Sequence, residues 1–157
     1  MPRVLVAGIG NIFLGDDGFG VEVARRLGRE PPDGVNVVDF GIRGVHLAYE
    51  LSSGKYDAAI LVDAVPRGGA PGTLYAIEPE DDGSAMDMDG HTVTPAMVLA
   101  WVRRTGGRCG RVLLVGCEPA SVDESIGLSD PVAASVDSAV ELVQKLAADL
   151  MGCSPCA

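Results

Sequence analysis

The paired aspartates Asp16 and Asp17 are the residues whose types and spacing most clearly indicate chemistry. They lie in a glycine-rich stretch, residues 8–20, with the sequence GIGNIFLGDDGFG. Carboxylates at the start of a helix stay ionised, because the positive end of the helix dipole favours their charged form. One aspartate can cap the helix while the other faces a cleft. The stretch is therefore expected to bind a cation, with capping by both aspartates as the alternative.

A dinucleotide-binding loop is another interpretation of the same stretch. Its G-x-G-x-x-G pattern would use Gly8 and Gly10, but the third glycine would then stand at the position of Phe13. A pyrophosphate site relies on the positive potential of a helix N-terminus and on bare N–H groups. Asp16 and Asp17 would oppose such a ligand at short range. A nucleotide-binding oxidoreductase is therefore disfavoured.

Further candidate ligands lie at the predicted ends of strands and in a loop. Asp39 ends the second predicted strand and Asp63 ends the third, so both are expected on the same rim as the first loop. Each acid taken singly could instead form a turn or cap a helix. His91 lies in a loop that can carry it over this rim. Asp17, Asp63 and His91 together would suit a divalent transition metal such as Ni, Zn, Fe or Mn.

The elements that must position these residues follow from the hydrophobic pattern. Apolar runs predict five strands, at residues 3–8, 35–40, 57–63, 73–78 and 110–116. Periodic segments predict four helices, at residues 17–27, 43–53, about 95–105 with Thr94 as cap, and 131–151. This order predicts a three-layer α/β sandwich around a mostly parallel sheet. The turn at residues 66–72 is too short for a parallel crossover, so the fourth strand is expected to run antiparallel to the third, as an edge.

Composition limits the class of protein. The 157 residues suit one domain, predicted over residues 1–150, and the aliphatic apolar content suits strands covered on both faces. The formal net charge of −10 repels phosphate backbones, so no nucleic-acid partner is expected, although a basic peptide segment would be attracted. No apolar run reaches membrane-spanning length, and MPRVLVAG lacks the features of a signal peptide. We therefore expect a cytoplasmic protein without a membrane partner.

The last seven residues, 151–157, are predicted to form a flexible tail. They contain Cys153 and Cys156 at C-x-x-C spacing. A structural zinc site needs about four ligands, and a single pair supplies two. The cysteines are therefore expected to be incidental, with transient handling of a metal as the alternative.

The combination of motifs resembles the signature of a known family, the hydrogenase maturation endopeptidases. The resemblance begins with G-x-G-N-x-x-x-x-D-D-G-x-G at residues 8–20. Five later segments and one residue follow in the expected order: DFGIRG at 39–44, VDA at 62–64, PGT at 71–73, His91 after the acidic loop, GCEP at 116–119, and IGLS at 126–129. The resemblance covers nearly the whole predicted domain.

The resemblance implies a twisted, mostly parallel five-stranded sheet between helices, of the phosphorylase/hydrolase-like kind. It also implies an endopeptidase that removes the C-terminal extension of a nickel–iron hydrogenase large-subunit precursor, the last step of that subunit's maturation. Nickel already inserted in the precursor would serve as the recognition element, although other divalent metals could occupy the site. The implied metal-binding and catalytic residues are Asp17, Asp63 and His91, while Asp16 is left to cap the helix. Many members of the family have glutamate where this chain has Asp17.

The implied chemistry agrees with what the sequence lacks. It shows no H-E-x-x-H helix and no serine or cysteine nucleophile placed beside a base. A metal held by Asp17, Asp63 and His91 could polarise the scissile carbonyl or activate water. A non-catalytic chaperone or adaptor that binds the nickel-loaded precursor remains the alternative, and such a protein would not need the complete set of three residues.

Overall fold

A five-stranded sheet forms the middle layer of the fold, in a computed structural model that describes residues 3–78, 95–104 and 110–152. Its strands are β1 Val4–Ile9, β2 Val35–Gly41, β3 Ala58–Ala64, β4 Leu74–Ile77 and β5 Arg111–Cys117. They lie in the order β2-β1-β3-β5-β4, with the first four in this order parallel and β4 antiparallel to β5. β1 and β3 are continuous apolar runs because helices cover both of their faces.

Helices form the two outer layers. Their bounds are α1 Phe19–Leu27, α2 Gly44–Ser52, α3 Pro95–Arg104, α4 Asp130–Ala133 and α5 Val136–Gly152. Side chains of α1 and α5 pack on one face of the sheet, and side chains of α2 and α3 pack on the other. The predicted three-layer α/β sandwich is therefore confirmed. No helix in the described part of the chain is long and apolar enough to cross a membrane.

The edge strand has the predicted direction and position. β4 is antiparallel to the rest of the sheet and lies at its edge, as its short preceding turn required. Its hydrogen-bonded partner is β5 rather than β3, because β5 occupies the place beside β3. The chain therefore leaves β3, passes over the position later filled by β5, and returns at the edge.

Two helical segments begin or break differently from the predictions. The helix predicted to start at residue 17 is preceded by a 3-10 turn, Gly15–Gly18, and α1 begins only at Phe19. The last predicted helix is divided into α4 and α5. At the division, the Ser135 hydroxyl donates hydrogen bonds to the carbonyls of Gly72, at 2.6 Å, and Pro131, at 3.1 Å. The first of these bonds ties this end of α4 to the turn before β4.

Some sequence predictions concern residues outside the described ranges. They are the acidic loop at 79–90, His91, the Thr94 cap and the cysteine pair of the tail, Cys153 and Cys156. The structure gives no test of these predictions.

The close approach of α1 to the sheet depends on two glycines. A Cβ atom on Gly20 would lie 2.0 Å from the carbonyl oxygen of Val62 and 2.4 Å from that of Ile9. A Cβ atom on Gly8 would lie 2.4 Å from the carbonyl oxygen of Gly20. Backbone therefore meets backbone where α1 crosses β1 and β3, and neither position has room for a methyl group.

Replacement of Gly20 by alanine is expected to destabilise the fold severely. The added methyl group would meet backbone atoms, which cannot move without shifting β1 or β3, so we expect a loss of about 3 kcal/mol in the free energy of unfolding. Urea denaturation followed by circular dichroism measures this loss. Gly152→Ala is the matched control, because a Cβ at Gly152 meets no atom within 4 Å. Equal stability of the two variants would contradict the close-packing explanation.

Candidate active site

A cavity of about 260 Å³ lies at the carboxyl ends of the parallel strands. Its walls come from the carboxyl ends of four strands and the segments after them: residues within 9–17 for β1, 41–42 for β2, within 63–66 for β3, and within 119–122 for β5. This is the position at which open α/β sheets bind their ligands. Two of the three predicted metal-binding residues, Asp17 and Asp63, lie in this cavity.

Asp63 is a buried carboxyl group at the end of β3, with 7% of its surface exposed. Its Oδ1 accepts a hydrogen bond of 2.8 Å from the amide of Ala64. Burial raises the pKa of Asp63 well above its ordinary value, and the negative charge of Asp17 raises it further. The two carboxylates therefore repel each other across the cavity, and a bound proton or cation would remove that repulsion.

Asp17 enters the cavity from the 3-10 turn that precedes α1. Its Oδ2 accepts a hydrogen bond of 2.8 Å from the amide of Asn11, which fixes the direction of the carboxylate. Gly10 makes this arrangement possible, because its φ of 138° is in the region that favours glycine. A Cβ at Gly10 would lie 1.8 Å from the carbonyl oxygen of Asp17 and 3.6 Å from Oδ1 of Asp63. Only glycine leaves this space open.

The donor set suits a divalent cation. Two carboxylates meet in one cavity, their charges repel each other, and Gly10 keeps the space beside them clear. Within residues 3–78, 95–104 and 110–152, no group of three histidine, cysteine or acidic side chains is arranged to hold a metal ion. The third predicted ligand, His91, lies outside these ranges. The described part of the chain therefore supplies two candidate ligands, and the role of His91 remains a prediction.

Asp39 lies at the same edge of the sheet but in a neighbouring cavity. This second cavity, of about 390 Å³, is lined by Asp39 and Arg25 together with the apolar side chains of Ile12 and Phe13. Asp39 therefore lies at the predicted edge beside the first loop, but it does not line the cavity that contains Asp17 and Asp63. β2 is the outermost strand on its side of the sheet, so its end lies farther from β3 than the end of β1 does.

Asp16 does not cap a helix, contrary to the prediction from the resemblance. Its side chain, 1% exposed, is directed toward the β5–α4 loop, residues 118–129. It accepts hydrogen bonds from the amides of Ala120 (2.8 Å), Ser121 (3.2 Å) and Ser129 (2.7 Å), and from the Ser129 hydroxyl (2.8 Å). Burial would raise the pKa of Asp16, but these hydrogen bonds outweigh burial and lower it. Asp16 is therefore a charged anchor for one wall of the cavity.

Glu118 performs a similar task that the sequence analysis did not assign. Its Oε1 accepts hydrogen bonds from the amides of Arg67, at 2.8 Å, and Gly69, at 2.9 Å, and from the hydroxyl of Tyr75, at 2.8 Å. The bond from Arg67 is the main reason that the pKa of Glu118 is lowered. These contacts fix the turn beside Pro66, which lines the cavity. The signal available in the sequence was its position directly after a predicted parallel strand.

Asp63→Asn is expected to stabilise the metal-free protein at neutral pH. Because folding raises the pKa of Asp63, its contribution to stability is complete below the ordinary pKa of 3.8 and is lost as the pH rises through the folded pKa. Asparagine cannot ionise, so the variant should unfold at a higher temperature at pH 7, by about 2–4 °C for each kcal/mol gained. Calorimetry in EDTA from pH 4 to 8 measures this, with Asp33→Asn as the exposed control. A lower unfolding temperature at pH 7 would contradict the assignment.

Asp16→Ala is expected to lower the free energy of unfolding by about 3 kcal/mol, because four donors lose a charged acceptor. Ser129→Ala should cost less, since the serine amide still reaches Asp16. Urea denaturation gives both values, and hydrogen exchange should show faster exchange at Ala120 and Ser129 in Asp16→Ala. The exposed residue Asp33, changed to alanine, serves as control. A loss no larger than that of the control would argue against the anchor.

Comparison with known proteins identifies the family. A protein-family sequence model described as hydrogenase maturation protease matches residues 21–146, which include Asp63. The hydrogenase 2 maturation protease of Escherichia coli K12 is 34% identical over 146 residues, covering 90% of this chain and 88% of the relative. A hydrogenase expression/formation protein, HupM of Azotobacter chroococcum mcd 1, is 35% identical over 147 residues, covering 90% and 69%.

A solved structure agrees with these sequence matches. The hydrogenase maturating endopeptidase HybD from E. coli superposes with a TM-score of 0.74 at 31% identity, covering 96% of this chain and 94% of that one. The sheet order, the cavity at the strand ends and these similarities lead to one conclusion. The chain belongs to the hydrogenase maturation protease family and is a peptide hydrolase.

Proposed function

We propose that this protein is a nickel-dependent endopeptidase that removes the C-terminal extension from the large-subunit precursor of a nickel–iron hydrogenase. The observation that carries this proposal is the pair Asp17 and Asp63, two repelling carboxylates in one cavity of a hydrogenase maturation protease. The cleavage would be the last step in the maturation of that subunit.

Nickel enters this proposal as part of the substrate. Asp17 and Asp63 would hold the ion carried by the precursor, and His91 is the proposed third ligand. A bound divalent ion can polarise a scissile carbonyl or lower the pKa of a water molecule. Without such an ion, the two carboxylates offer no comparable electrophile, so the proposal explains why a precursor without nickel would not be cut.

The surrounding residues prepare the carboxylates for this role. The amide of Asn11 orients Asp17, and burial holds Asp63 in place at the end of β3. Because the two carboxylates repel each other, the pair would bind a cation more strongly than a single carboxylate would. Two negative charges and a neutral imidazole would balance a divalent ion.

Cys117 is not suited to act as a nucleophile for peptide cleavage in place of the proposed metal-dependent mechanism. This residue is the free cysteine in the described part of the chain, and it is buried at the end of β5. Burial, followed by the charges of Asp16 and Glu118, raises its pKa to about 11. A thiol with this pKa is almost entirely protonated at neutral pH, and protonated thiols are poor nucleophiles.

The decisive experiment compares nickel-loaded and nickel-free precursor, each incubated with the protein and analysed by mass spectrometry. We expect loss of a C-terminal peptide from the loaded precursor alone. Asp17→Asn, Asp63→Asn and His91→Ala should each lower the cleavage rate by about 100-fold or more, equivalent to about 2.7 kcal/mol of transition-state stabilisation. These variants must first show a native circular dichroism spectrum.

Controls for this experiment come from the same chain. His46→Ala changes the other histidine, which is exposed on α2, and Asp33→Asn changes an exposed aspartate. Both should cleave at the wild-type rate. Equal cleavage of the two precursors would refute nickel dependence. Binding of the loaded precursor without any change in its mass would instead favour the adaptor.

A further inference from the structure

Four exposed apolar side chains lie on the two loops beside the candidate active site, residues 9–17 and 118–129. They are Ile12, Phe13, Val122 and Ile126, and we call them the apolar rim. Phe13 is 61% exposed and Ile126 is 79% exposed, although both are large hydrophobic residues. Clustered exposure of this kind marks surfaces that are covered by another molecule, whereas single exposed residues need no such explanation.

The two loops that carry the rim are joined by their backbones. The amide of Gly15 donates to the carbonyl of Ser125 at 2.8 Å, and the amide of Ser125 donates to the carbonyl of Phe13 at 3.0 Å. Asp16 adds its four hydrogen bonds to the same junction. A fixed backbone holds Phe13 and Ile126 outward, so the apolar rim is prepared before any partner arrives.

The apolar rim is continuous with the cavity that contains Asp17 and Asp63. Val122 lines that cavity, whereas Ile12 and Phe13 line the adjacent one. The two cavities share four residues, which are Gly10, Asn11, Gly41 and Ile42. The two cavities are therefore neighbours, and a polypeptide that reaches the carboxylates in one can also contact the apolar rim.

The charged residues beside the apolar rim indicate which kind of polypeptide segment could bind there. Asp123 and Glu124 lie between Val122 and Ile126 and are exposed. Neither forms an ion pair within the part of the chain that the structure describes. With a formal net charge of −10 on the protein, this mixture of apolar and acidic groups suits a segment that is apolar and basic.

We propose that the apolar rim is the docking surface for the segment of the precursor polypeptide next to the scissile bond, and that this segment carries apolar side chains and at least one basic side chain. This inference rests on the proposed function for the identity of the partner. It adds a recognition surface that acts on substrate binding, separate from the carboxylates that would act on the bond.

The test uses two readouts, equilibrium binding of the nickel-loaded precursor by biolayer interferometry and steady-state cleavage. Phe13→Ser combined with Ile126→Ser should weaken binding by about 10-fold or more and raise KM to a similar extent, with kcat changed less than about twofold. Asp123→Asn combined with Glu124→Gln should weaken binding less and reduce its dependence on salt. Tyr49→Ser is the control, because Tyr49 is 77% exposed but lies on α2, outside the two loops that carry the apolar rim.

The possible outcomes test the docking surface separately from the proposed endopeptidase activity. Wild-type protein that binds the precursor through the rim but does not cut it would refute the proposed function and support the docking surface. Cleavage by the wild type together with unchanged binding by the rim variant would overturn the docking surface alone. The inference would also be overturned if the wild type failed to bind the precursor. A wild-type dimer that the rim substitutions dissociate would assign the surface to a second copy instead.

Discussion

The backbone contact at Gly20 is the constraint on which the arrangement of this protein depends. Because carbonyl oxygens of β1 and β3 occupy the space that a side chain would need, α1 can lie directly on these two strands. That contact fixes the short connection between β1 and α1 above the carboxyl end of the sheet. Asp17 is thereby brought beside Asp63, although the two residues belong to different segments of the chain. The electrostatic repulsion between them follows from this packing.

Two neighbouring aspartates show how environment determines role. Asp16 and Asp17 have the same chemistry and adjacent positions, yet one has four hydrogen-bond donors around it and the other faces a second carboxylate. Donors that surround Asp16 satisfy its charge, so that charge contributes to structure. Within the described part of the chain, Asp17 accepts a hydrogen bond from the amide of Asn11 and lies near the carboxyl group of Asp63, which its charge repels. Glu118 follows the pattern of Asp16 on the other side of the cavity.

Much of the fold was predictable because local pattern and burial agree. Strands β1, β3 and β5 are apolar runs bounded by polar residues or glycine, and their predicted limits differ from the observed ones by one residue at either end. The placement of Asp17 and Asp63 was also predictable, since Asp17 lies in the segment after β1 and Asp63 lies at the carboxyl end of β3. The role of Asp16 could not be predicted, because its hydrogen-bond partners lie more than 100 positions away in a loop with no periodic pattern.

The strand that pairs with β4 could not be predicted either, since the sequence indicates the direction of an edge strand more readily than the strand to which it is hydrogen-bonded. The edge at which Asp39 lies was predictable, but its cavity was not, because the order of strands across the sheet cannot be read from the order along the chain.

The long sequence separation between Asp16 and Ser129 has a consequence for how the site comes into being during synthesis. The first loop leaves the ribosome early, but the donors that fix it are translated 104 to 113 positions later. β3 likewise lacks its neighbour β5 until most of the chain has emerged. A nascent chain that ends before the β5–α4 loop therefore has both carboxylates without the wall that encloses them. The cleft can therefore be completed only after the β5–α4 loop has been synthesised, and a chain stalled before that point would lack one of its walls.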